Sequence, residues 1–77
     1  MQLTREAQIL AYKQSLALTH TDVLREKVRE ICLLWAEHHN LSPVSEWVIK
    51  HETRVRLMTR KQLKTRLTTF FEQTLEN

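Results

Sequence analysis

The chain reads as an all-α protein, a compact bundle of four short helices in one domain over residues 1–77. Three observations lead there. The 77 residues contain no glycine and a single proline. Apolar side chains recur at helical spacing in four segments. A Ser or Thr stands near the head of each segment, where a helix needs an acceptor for its free N–H groups. Helices are expected at about 5–18, 22–39, 43–57 and 60–75.

The first follows Thr4 and is apolar on two sides. Leu3, Ala7, Leu10, Ala17 and Leu18 form one stripe, and Ile9, Tyr12 and Leu16 form a second. Such a helix is wedged between neighbours or feeds a subunit interface. The second segment, capped by Thr19 or Thr21, is the most regular. Leu24, Val28, Ile31, Trp35 and His38 step alternately by four and three, as on a coiled-coil seam. Its charges match at i,i+3: Asp22 with Arg25, Glu26 with Arg29, Lys27 with Glu30.

Asn40 is the best left-handed stop available without glycine. Ser42 then caps the third helix, with Pro43 at its first position, where a missing N–H costs nothing. Val44, Val48, His51, Val55 and Met58 continue the four-three spacing, and Trp47 joins that face. The stripe over 44–58 centres near 70° on the helical wheel, whereas Leu63, Leu67, Phe70, Phe71 and Thr74 centre near 210°. One straight helix would wind its apolar face about 140° around itself, so a break is expected at Leu57 to Thr59. Thr59 and Gln62 then form a capping box, with Met58 and Leu63 as its hydrophobic staple. All connections come out at about two to five residues, which favours antiparallel neighbours or sharp corners.

The same composition excludes much chemistry. Phosphate-cradling loops, dinucleotide fingerprints, calcium loops and nucleophile elbows all need glycine, and this chain has none. Cys32 is the lone cysteine, so no intrachain disulfide forms, and a reducing compartment is the default. The amino end turns polar at once and does not read as a secretory signal. The longest apolar run, Ile31 to Ala36, is far short of the roughly 20 residues of a membrane span. A cytoplasmic protein without membrane contact is therefore expected. No two of His20, His38, His39 and His51 stand at i,i+4, and Cys32 reads as packing. The carboxylates are scattered. The expectation is a non-enzymatic protein with no catalytic site, no metal and no cofactor.

One feature stands above this background. From Thr53 to Phe71 the chain carries six bases (Arg54, Arg56, Arg60, Lys61, Lys64, Arg66) and no acid, while the remainder has six bases and nine acids. The net charge of +3 thus conceals a basic segment on an acidic scaffold. Arg60 and Lys64 repel at i,i+4. Arg60 and Lys61 also crowd the amino end of the fourth helix, where the dipole favours acids. An anion docked there would relieve these penalties. The six bases are the expected partner-binding residues, centred on Arg60, Lys61 and Lys64. Alanine at those three should weaken binding and leave the melting temperature unchanged or slightly raised.

An acidic protein surface is the favoured partner, which makes the chain a small helical adaptor or regulator. The alternative is nucleic acid, because a short helix followed by a basic one resembles a helix-turn-helix in outline over Pro43 to Gln73. The turn lacks glycine, however, and threonines rather than Asn or Gln accompany the bases. Surplus apolar surface also predicts a homodimer, with Ile9, Tyr12, Leu16, Trp35 and Trp47 as interface candidates.

Overall fold

A computed structural model describes residues Leu3 to Glu76. It contains four helices, α1 (Arg5–Ala17), α2 (Thr21–His38), α3 (Glu46–Leu57) and α4 (Arg60–Leu75), and no strand among the described residues. Two of the expected caps form as read. Thr4 Oγ1 accepts from Ala7 N at 3.1 Å. At α4, Thr59 Oγ1 accepts from Gln62 N while Thr59 N donates to Gln62 Oε1, closing the capping box.

The other two starts differ. His20 is the N-cap of α2 and makes no side-chain cap bond. The two threonines flank the cap position instead: Thr19 donates back to Ser15 O, and Thr21, the first residue of the helix, accepts from Arg60. The third helix begins three residues later than expected, with Ser45 accepting from Val48 N. Ser42 and Pro43 belong instead to a tight turn. Ser42 O takes the Ser45 N–H at 2.9 Å, and Ser42 Oγ takes that of Val44. Proline presets the dihedral such a turn requires, so the Ser-Pro pair closes the chain one turn before the helix starts. The α2–α3 connection, His39 to Ser45, is accordingly longer than expected.

Glycine-free helices must finish by other means. Asn40 closes α2 at φ 57°, the positive-φ residue of the described chain. Leu41 N reaches Ala36 O and Asn40 N reaches Glu37 O, the paired bonds of a Schellman motif. The ends of α1 and α3 are sealed by arginines from other helices. Arg60 donates to Leu16 O, Ala17 O and Thr21 Oγ1 at 3.3, 3.0 and 3.0 Å. Arg25 donates to Val55 O, Arg56 O and Met58 O at 2.7, 3.3 and 2.9 Å. Arg25 therefore leaves Asp22, its expected mate, and of the pairs foreseen within α2 only Glu26–Arg29 closes.

The helices pack as two antiparallel pairs. Along α1 and α4, Arg5 meets Glu76, Tyr12 stacks on Phe71, and the last carbonyls of α1 meet Arg60. Along α2 and α3, Arg25 meets the end of α3, Arg29 meets Glu52, and Trp35 stacks on Trp47. The pairs join where α1 and α3 end and α2 and α4 begin. There Leu16, Leu24, Val28, Val55, Leu63 and Leu67 form the core, flanked by Tyr12, Ile31, Cys32 and Met58. Burial of these few side chains is the main favourable term holding the fold. α2 and α4 pack on one another across this junction, and the whole is a slab of 44 × 27 × 13 Å. The radius of gyration is 13.8 Å, against about 11.5 Å for a compact chain of this length. Among the described residues no helix is long and apolar enough to cross a membrane.

Candidate anion-docking groove

The structure distributes the six bases over several surfaces. Arg60 is half-buried, and its planar fork spans the end of α1 and the start of α2. Its placement at the amino end of α4 is unfavourable for that helix alone. The guanidinium nevertheless lies at the carboxyl end of α1, where the dipole favours a cation. The charge arrangement that suggested a docked anion at Arg60 is thus answered inside the fold. Arg60 therefore stands apart from the free cluster expected with Lys61 and Lys64.

Arg54, Lys61 and Arg66 do converge. They line an open groove of about 730 Å³ between the end of α3 and the outer face of α4, together with Leu57, Met58, Gln62, Thr65 and Thr69. No carboxylate lines it. Leu57 is 78% exposed, while Met58 packs against the core. The groove therefore joins an apolar patch to three cations. The Thr65 and Thr69 hydroxyls donate to Lys61 O and Thr65 O one turn back. Their hydrogens are occupied, so these residues offer methyl groups and lone pairs to the groove.

Lys61 also faces a second, smaller groove of about 340 Å³ on the α1 side, shared with Lys13, Lys64 and Glu72. Lys13 escaped the sequence reading because it lies on α1, outside the basic run; only the pairing of α1 with α4 brings it there. Arg56 turns to a different surface, between α2 and α3, which it shares with Asp22, Glu26 and Glu52 and with Arg25 and Arg29.

The interface candidates also separate. Leu16 belongs to the core at 3% exposure, and Tyr12 lies against Phe71 with ring centroids 4.2 Å apart. Both are committed to internal packing, while Ile9 is half-buried beside them. Trp35 and Trp47 stack at 4.5 Å, in the middle of a continuous ladder. His39 covers Trp35 at 3.9 Å, His51 covers Trp47 at 3.8 Å, and His38 meets His39 edge-on. The His51 Nδ1 lies 2.8 Å from Trp47 O. A carbonyl can only accept, so Nδ1 carries the proton and donates. The three histidines thus share one stack, with two indoles between His39 and His51. Among the described residues no group of three or more His, Cys, Asp or Glu could hold a metal ion.

Cys32 is half-buried against the core. Burial pushes its thiol up from the usual range, and the nearby Arg66 guanidinium pulls it partly back. Such a thiol is mostly protonated at neutral pH, and the thiolate is the nucleophilic form. No protein-family model, curated protein or solved structure matches the chain at a significant level.

Proposed function

We propose that the protein is a non-enzymatic helical binding module that docks an acidic, amphipathic segment of a protein partner in the α3–α4 groove. The supporting observation is the groove's composition: three cations, no carboxylate, and an exposed leucine beside a methionine. A phosphate backbone would use the cations and leave Leu57 unsatisfied. An amphipathic helix with acidic flanks uses both, its apolar face on Leu57 and Met58 and its carboxylates on Arg54, Lys61 and Arg66. The occupied threonine hydroxyls point the same way, since phosphate recognition draws on such donors. Lys64 and Lys13 extend the positive field around α4 and accelerate encounter more than they add affinity.

A labelled acidic peptide with leucines at helical spacing, titrated by fluorescence anisotropy, tests this reading. Binding should weaken about tenfold or more when Arg54, Lys61 and Arg66 are all alanine, a loss of roughly 1.4 kcal/mol. It should also weaken when the peptide's leucines become serine. Tight binding of a generic duplex, with a steep fall of affinity with salt and no affinity for the peptide, would replace this function by nucleic-acid binding.

A further inference from the structure

The outward stripe of α1 carries a second interaction surface. Ile9, Tyr12 and Leu16 turn toward α4 and the core, which leaves Ala7, Leu10, Gln14 and Ala17 on the opposite face, with Leu3 just ahead of the helix. These positions step by four, three, four and three, the spacing of a coiled-coil seam. Leu3 and Leu10 are 62% and 56% exposed, so among the described residues nothing covers the stripe at these positions. Glu6 and Lys13, both exposed, flank the same edge of the seam seven residues apart.

We infer that a second copy of this chain covers the stripe, with the two α1 helices antiparallel and Glu6 of each copy facing Lys13 of the other. Charge selects this arrangement. Residues flanking a seam on the same edge meet one another across an antiparallel pair, so setting Ala7 against Leu10 of the second copy brings Glu6 to Lys13, twice by symmetry. Sliding by one heptad would oppose Lys13 to Lys13 or Glu6 to Glu6. A parallel pair would set Glu6 against Ala11 and Lys13 against Leu18, with no charge partner. The small side chains of Ala7 and Ala11 let the two backbones approach closely.

Area agrees with pairing. The chain exposes 6104 Å², whereas a compact monomer of its mass exposes about 5,000 Å². The surplus exceeds the roughly 800 Å² that each partner buries in a standard stable interface. The α3–α4 groove contributes none of these residues; Lys13 alone is shared with the proposed function, through the smaller α1–α4 groove.

Sedimentation equilibrium of the full chain and four variants tests it. The wild type should be dimeric at tens to hundreds of micromolar, and Leu10→Glu monomeric with an unchanged circular dichroism spectrum. Glu6→Lys and Lys13→Glu should each weaken the dimer about tenfold, and the double variant should restore it. A strictly monomeric wild type, or a Leu10→Glu dimer as tight as the wild type, would overturn the interface. Charge variants with no effect, or a double variant weaker than either single one, would overturn the antiparallel register.

Discussion

Two neighbouring regions use basic side chains for opposite purposes. At the centre of the molecule, Arg25 and Arg60 are half-buried and together donate five hydrogen bonds to main-chain carbonyls at the ends of α1 and α3. In the neighbouring groove, Arg54, Lys61 and Arg66 are exposed, and no carboxylate lines that groove. The contrast separates charge that completes the fold from charge that, in the proposed function, meets a partner. It also shows how a chain without glycine stops its helices: the missing left-handed caps are replaced, at two of three internal ends, by guanidinium groups from neighbouring elements.

The largest effect expected from this contrast is on stability. Replacing Arg25 and Arg60 together by alanine should cost about 2–4 kcal/mol, since each leaves carbonyls without a charged donor. The two contributions should nearly add, because they serve different helix ends. In a domain of this size 1 kcal/mol shifts Tm by roughly 4–8 °C, so a thermal melt resolves the loss easily. A double variant as stable as the wild type would break the comparison.

A smaller effect sharpens it. Arg60→Lys keeps the charge and loses the planar fork that reaches two carbonyls and a hydroxyl at once. It should cost about 1 kcal/mol in urea unfolding. Full retention of stability would mean that charge near the α1 terminus suffices.

The smallest effect concerns alkaline pH. Burial raises both the Cys32 thiol and the Tyr12 phenol above their usual ranges. For such groups the folded state favours the protonated form. Their contribution is therefore complete below the ordinary ionisation range and is lost as pH rises through it. Tm should fall modestly between neutral pH and strongly alkaline conditions, and less so in Cys32→Ala, measured relative to that variant at pH 7. An equal fall in both proteins would remove Cys32 from the account.

How far all this was legible in the sequence depends on whether the signal was local. The capping box at Thr59, the left-handed Asn40 and the break after Leu57 rest on neighbouring residues, and each was readable from spacing and residue type. Ser45 in place of Ser42 was a contest between two serines three positions apart, decided by the turn that Pro43 favours. The fate of Arg60 was hidden. Its three acceptors lie 39 to 44 positions away, and reasoning from the α4 dipole alone cannot see the α1 carbonyls it meets. Arg25 was misread for the same reason, because a carboxylate three residues away looked like its natural mate. The aromatic ladder had a partial signal in the seam positions of Trp35 and Trp47, but the histidines at its two ends depend on how α2 and α3 are paired.

The most direct test of the division between these regions is a pair of readings on four single variants, Arg54→Ala, Arg60→Ala, Lys61→Ala and Arg66→Ala. Each is measured for Tm and for affinity toward the acidic amphipathic peptide at a temperature where all are folded. Arg60→Ala should lower Tm and leave the affinity near wild type. The other three should lower affinity and hold stability within about 0.5 kcal/mol. An Arg60→Ala protein that melts normally but has lost the peptide would contradict the assignment, as would groove variants that unfold while still binding.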